Sequence, residues 1–436
     1  MMSLRLVWAL LGALMVCCAH AQAPHTPLRL SAADRAAALQ AISKIFEEQY
    51  VFPQLRPQIV ARLDAAKSEG RYDVDDPVVF AERITQDLRE VSHDGHSWLS
   101  FDPAAYAASS APAGSDNDAE AFWRRRAIRN HHGLTEMRIL GGNVRYLKIS
   151  GFEWAGDATG AAYDAAMRFL KDGDAVIIDL RGNGGGSHPA VRYLVSHFMR
   201  GNVLEMTFLE GSKPPEQSRT LDSLPAGRLE GAPLFVLIDG GTASAAEAFA
   251  YDVQQFKLGE LVGTRTAGAA NNNNLLPVTP GFILSVSYGR PVHAVSDTNW
   301  EGVGVEPTVG AQSLQALDIA ESLALTRLEQ AAGATPEKLA EYAWAKIAVE
   351  ARLHPVTFTP ARLKSLAGRY GRADVSFHDG ALWLTRPDRP SARLSLLTAD
   401  GLFALAGRDG VRVRLTGRAM QMLWVDEPTP RVFPRS

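Results

Sequence analysis

Beyond residue 18 the chain has no cysteine; its two, Cys17 and Cys18, stand side by side near the N-terminus. Disulfides, a cysteine nucleophile and thiolate metal sites are thereby excluded from the rest of the chain. An extended basic run is also missing, and 45 Lys+Arg against 48 Asp+Glu leave a formal net charge of -3. With nothing to displace counterions from a phosphate backbone, the composition argues against nucleic-acid binding. Long apolar runs are scarce too. Residues 6–18 are apolar but fall short of the roughly 18 needed to cross a bilayer. They follow Arg5 and precede Ala19-His20-Ala21, the pattern of a secretory signal peptide at residues 1–21 cut after Ala21. An uncleaved signal anchor is the alternative. A lipidated cysteine fits less well, because Val16 precedes the pair where a small residue is usual. The expected location is periplasmic or secreted.

What is present is enough apolar material, 46% of 436 residues, for a large core with accessory modules. Residues 28–100 show helical periodicity in three stretches, marked by Leu39, Ile42 and Phe46, by Ile59 and Leu63, and by Phe80, Ile84 and Leu88. They read as a helical bundle whose third helix starts with Asp76 as N-cap and Pro77 in the first turn. Residues 101–140 read as a connector, its first part flexible and rich in Ala, Ser, Gly, Pro and Asp. In residues 141–312 short apolar strands (144–149, 175–180, 234–238) alternate with helices (158–170, 189–199, 244–256). That order predicts an α/β core with a largely parallel sheet, whose sites collect at the carboxyl ends of the strands. Residues 313–353 read as a helical linker. Residues 354–436 alternate apolar and polar positions between Asp-Gly turns and predict a small all-β module, with a role in packing, substrate restriction or partner contact.

Two unusual loops follow strands directly: Asp179-Leu180-Arg181-Gly182-Asn183-Gly184-Gly185-Gly186 and Asp239-Gly240-Gly241-Thr242-Ala243-Ser244. Ser244 opens a helix of small residues, so it is either a nucleophile or an ordinary N-cap. As nucleophile its oxyanion would be held by the Ala245 N–H and the positive end of the helix. The glycine loop permits close backbone approach and could add a second donor; it lacks the ending of a P-loop and the spacing of a dinucleotide fingerprint. His96, in Ser92-His93-Asp94-Gly95-His96-Ser97, is a candidate general base. The two histidines and the aspartate also invite a metal reading, but no complete ligand set accompanies them. Glu301, beside Trp300 and just before a sharp turn allowed by Gly302 and Gly304, could orient that histidine or be a surface glutamate. Asn271 to Asn274 either line the cleft or form a solvated loop.

Taken in order, DGHS, DLRGNGGG, TASAAEAFAY, GTRTAGAANN and NWEGVGVEP resemble the tail-specific, or C-terminal-processing, serine peptidase family. The likeness is to its branch related to the tricorn protease core and interphotoreceptor retinoid-binding protein, and it covers roughly residues 35 to 312. It implies a ClpP/crotonase-like α/β core, with Ser244 as nucleophile. In the Ser-Lys type of the family a lysine follows the serine by about 25 residues; here that position is Ala269, and no lysine follows Lys257 in the segment. The tricorn-like alternative maps Ser244, His96 and Glu301 onto a Ser, His and Glu set. Gly95 stands where the tricorn core has a serine before its histidine, so three residues are carried over rather than four. The resemblance also implies an oxyanion hole of Ala245 N–H with Gly185, or alternatively Gly186. The connector is too short for the PDZ module common in processing peptidases. Hydrolysis of peptide or protein substrates without metal or organic cofactor is the expected function, by a monomer or an oligomer. A non-catalytic binder of hydrophobic small molecules and an esterase on the same core are the alternatives.

Overall fold

Three helices lead the fold: α1 (Ala32–Gln49), α2 (Arg56–Ser68) and α3 (Pro77–Ser92). Their ends are set by local chemistry. Ser31 and Asp34 form a reciprocal capping box on α1, and Asp76 Oδ1 accepts from the N–H of Val78 and Val79 at the start of α3. These helices belong to a computed structural model that describes residues 29–110, 116–211, 213–387 and 389–436. The signal peptide read at residues 1–21, with Cys17 and Cys18, lies outside the described residues. Among those described, no helix is long and apolar enough to cross a membrane.

After β1 (Trp98–Phe101) the segment read as a connector departs from expectation. It carries α4 (Pro103–Ser110), α5 (Asp116–Arg129) and β2 (Leu134–Ile139), the last paired with β3 (Val144–Ile149). Helix α6 (Asp157–Lys171), β4 (Ala175–Asp179), α7 (His188–Ser196), β5 (Leu204–Glu210), β6 (Glu216–Arg219), β7 (Leu234–Ile238), α8 (Ala245–Gln255) and β8 (Glu260–Gly263) follow. Then come β9 (Asn272–Val278), β10 (Phe282–His293), β11 (Val309–Gly310), α9 (Ala316–Glu329) and α10 (Pro336–Leu353).

The central sheet has the order β11-β8-β7-β4-β3-β2, parallel throughout except at β2. Strands β4 and β7 are buried on both faces, which is why they read as unbroken apolar runs. Alternate side chains serve two cores: Val176 and Ile178 pack with α6, α7 and α8, while Ala175 and Ile177 pack with α9 and α10. The segment read as a helical linker therefore forms one layer of the α/β core. Because β4 and β7 are adjacent and parallel, with Asp179 opposite Leu237, their following loops emerge at the same edge.

A second sheet, entirely antiparallel, is ordered β1-β10-β5-β6 with β9 also on β10. Its Val278, Phe282, Leu284 and Val286 share one core with α1, α2 and α3. The N-terminal helices thus pack on a sheet contributed mostly by later residues. After α11 (Pro360–Leu366), the strands β12 (Gly368–Tyr370), β13 (Ala373–His378), β14 (Ala381–Arg386), β15 (Arg389–Leu396), β16 (Leu402–Leu405), β17 (Arg408–Leu415), β18 (Ala419–Trp424) and β19 (Glu427–Pro434) form an antiparallel meander in sequence order. A bridge between Tyr370 and Arg435 brings its two ends together. The buried guanidinium of Arg412 lies 4.0 Å over the Trp344 ring, tying this module to α10.

Candidate active site

Ser244 sits between β7 and α8 with φ 53 and ψ -120. An ordinary N-cap is extended; this conformation costs a residue with a Cβ about 1–3 kcal/mol and must be held by its surroundings. Thr242 Oγ1 donates to Leu180 O at 2.9 Å, Ala243 N–H donates to Asn183 O at 2.9 Å, and Asp239 Oδ1 accepts from Gly182 and Gly241 at 3.0 Å each. The two loops are thus stitched together. Gly185, at φ +104, shows how closely: a Cβ there would fall 2.7 Å from Ser244 Cβ and 2.9 Å from Ala245 N. No residue but glycine fits.

The same loop holds the two glycines expected as oxyanion donors in different ways. Gly185 N–H donates to Asn183 Oδ1 at 2.9 Å. Gly186 forms a parallel bridge with Phe152, whose N–H and C=O bond Gly185 O and Ser187 N; that pattern turns the Gly186 N–H away from Phe152. Gly186, and not Gly185, lines a cavity of about 230 Å³ together with Ser244 and Ala245. Gly185 thus shapes the turn, while Gly186 stands on the cavity wall beside Ser244 and Ala245.

His96 is placed by the end of α3 and the start of β1. His93 closes α3 in a left-handed conformation, Arg89 Nη2 donates to Gly95 O at 2.8 Å, and the Ser285 hydroxyl of β10 donates to His96 O. His96 Nδ1 lies 3.9 Å from Glu301 Oε2, an electrostatic contact too long for a hydrogen bond. Glu301 itself is firmly held: Oε1 accepts from Gly95 N–H at 2.9 Å, and Oε2 from Ala270 and Asn271 N–H at 2.6 and 2.7 Å. Burial pushes the Glu301 carboxyl up, but the adjacent His96 ring and these N–H donors outweigh it and leave it below its ordinary value. Asp94, buried beside it, moves the opposite way, raised by burial and by the charge of Glu301. Asp94, His96 and Glu301 offer ligand atoms within 4.8 Å of one another. Since three amide N–H groups already occupy both Glu301 oxygens, the arrangement suits an imidazole better than a cation.

No motif in the sequence marks Glu247 as part of the site. Fully buried, it accepts from Ser244 N–H at 2.9 Å, Thr266 Oγ1 at 2.5 Å, Gly268 N–H at 2.7 Å and Ala269 N–H at 2.9 Å. Four consecutive amides, residues 268–271, are thus divided between two carboxylates, the first pair to Glu247 beside Ser244 and the second to Glu301 beside His96. The available signal was the spacing Ser244-x-x-Glu247, a capping-box pattern.

Within the expected set the structure brings His96 and Glu301 together and places Ser244, Ala245 and Gly186 around one cavity. His96 and Glu301 do not line that cavity, and among the described residues no hydrogen bond joins Ser244 to His96. The strap of residues 268–271 connects the two groups. Asn271, Asn272 and Asn273 line the cavity, and Asn272 to Asn274 belong to β9 rather than to a solvated loop.

Comparison with known proteins converges on this region. Residues 143–311 match the model of peptidase family S41. The C-terminal processing peptidase, chloroplastic, of Tetradesmus obliquus is 29% identical over 170 residues, 38% of this chain and 34% of that protein. Carboxy-terminal processing protease CtpB of Bacillus subtilis is 25% identical over 178 residues, 40% of this chain and 35% of that protein. The matched segment spans about a third of the length of these curated relatives. Among solved structures, mature CPAF aligns at 12% identity with a TM-score of 0.48, covering 69% of this chain and 99% of that one. Through residues 143–311 the chain is thus similar to peptidase family S41 and to carboxy-terminal processing proteases.

Proposed function

We propose that the protein is an exported serine peptidase that hydrolyses peptide or protein substrates through an acyl-enzyme. Ser244 attacks the scissile carbonyl, His96 takes the hydroxyl proton and returns it to the leaving amine, and Glu301 orients the ring and stabilises its cation. The N–H groups of Ala245 and Gly186 hold the oxyanion. Water then resolves the acyl-enzyme through the same histidine. The observation that carries this reading is the strained Ser244 at the head of α8, pinned by Glu247 and pressed against Gly185, an expense with no purpose in an ordinary helix cap. His96 must close toward Ser244 when substrate arrives, since catalytic hydrogen bonds often tighten only in the complex. Export to the periplasm or beyond rests on the leader at residues 1–21. The test is labelling of the folded protein by a fluorophosphonate: modification of Ser244, absent in Ser244→Ala, is expected, and an unreacted Ser244 in intact protein would overturn the assignment.

The Glu301 environment also predicts a pH dependence. Its folded-state pKa is lowered, so it contributes stability that is present above the unfolded value, near ~4.3, and is lost as pH falls through the folded value. The stability gap between wild type and Glu301→Gln should therefore shrink as pH drops below about 4. Thermal melts of both proteins across acid pH check this; a gap independent of pH would show that the carboxylate is not held in its charged form.

A further inference from the structure

Beside the Ser244 cavity lies a larger one of about 680 Å³, and His188, Phe208 and Asn272 line both. The two cavities therefore adjoin, and a chain laid across Ser244 has the larger one beside it. Its chemistry is acidic and aromatic. Asp157 and Asp164 line it from α6, seven residues apart and so on one helix face, with Gly160 and Ala161 leaving room between them. Glu210 and Glu216 line it from β5 and β6. Trp154 and Tyr193 face each other there with ring centroids 5.9 Å apart.

Four carboxylates in the wall meet one arginine, Arg192, and one histidine, His188. His188 Nε2 is taken up by the buried Glu205 at 2.9 Å, and Lys213 offsets Glu210 from outside the wall at 2.7 Å. Asp164 is the telling residue. It is 5% exposed, and its Oδ1 has no hydrogen-bond partner, His197 Nε2 standing 3.7 Å away. That oxygen is closed off against the equally buried His197 ring, so what Asp164 offers the cavity it lines is its negative charge. The same negative surroundings show in Tyr193, whose phenol is pushed up to about 12 by burial and by Asp164.

We propose that this cavity binds an organic cation of the substrate, a lysine or arginine side chain or a free amino terminus close to the scissile bond. The inference rests on the peptidase reading for its orientation toward Ser244, but the binding itself does not require catalysis. Carboxylates supply charge-assisted hydrogen bonds to the cation, and Trp154 and Tyr193 supply π faces.

The test uses the full-length Ser244→Ala protein and three peptides of one sequence: N-acetylated with lysine, N-acetylated with norleucine, and norleucine with a free amino end. Affinities are measured by calorimetry. An advantage of about tenfold for either cationic peptide over the acetylated norleucine peptide supports the site, and which of the two shows it identifies the source of the cation. That advantage should vanish in Asp164→Asn and shrink in Glu216→Gln, with norleucine binding unchanged. Glu216 is exposed, so its variant separates loss of charge from loss of folding. Equal affinities, or no binding by any peptide, overturn the proposal. Hydrolysis by the wild type is read separately: a cationic preference without cleavage would remove the peptidase reading and leave the binding site standing.

Discussion

Replacing Ser244 by alanine is expected to lower kcat/KM for peptide hydrolysis by about 10⁴–10⁶, leaving the fold intact. Nothing structural depends on the hydroxyl in the way it depends on the backbone: the Ser244 N–H to Glu247, the Ser244 C=O accepting from Ala248, and the contact with Gly185 all survive the change. His96→Ala should fall in the same range. The double variant should be little worse than either alone, because nucleophile and base act as one unit and their losses do not add. Kinetics on a peptide library, with circular dichroism to confirm folding, measure this directly. If His96→Ala kept a tenth or more of wild-type activity, the base would have to be sought elsewhere, and His188, which lines the Ser244 cavity beside Glu205, would be the next residue to change.

Glu247→Ala is expected to cost about 3–5 kcal/mol of stability and with it nearly all activity. Four donors converge on this one carboxylate, and removing it strands them in a region closed to water, where each unpaired group is penalised. Glu247→Gln retains the volume but turns an N–H group toward donors that need an acceptor, so only partial rescue is expected. Activity should fall further than stability does, since Ser244 and residues 268–271 lose their common anchor. Urea unfolding alongside peptide hydrolysis tests the claim. A Glu247→Gln protein that unfolds with the wild type and cleaves at the wild-type rate would reduce the carboxylate to an ordinary helix-capping group.

The parts of this molecule legible in the sequence were those governed by local rules. Strands β4 and β7 declare themselves because both faces are buried and the apolar run is unbroken. Helix α3 shows its start in Asp76 and Pro77. The serine, histidine and glutamate motifs could be found one by one, yet how they meet could not. The contact of Gly95 with Glu301 joins positions 206 residues apart, and no pattern in either segment predicts it. Strands β9 and β10 were hidden for a different reason. Asparagine is a poor strand former, and Asn272–Val278 becomes a strand because β10 offers it a ladder, a tertiary effect overriding propensity. What sets Gly185 apart from Gly186 is the Phe152 bridge, which only the folded chain supplies.

The docking of the histidine loop has a last consequence, at the residue 25 positions beyond Ser244. Ala269 lies there with its N–H committed to Glu247, and a Cβ on Gly95 would stand 3.4 Å from Ala269 Cβ. The two small residues lie against each other, with Ala269 half-buried beside the loop that carries His96. A lysine in that position would start its stem against the surface on which the His96 loop packs. The small side chain at position 269 and the seating of the His96 loop therefore go together: a longer side chain there would start out against that loop, and the loop's position would register the change.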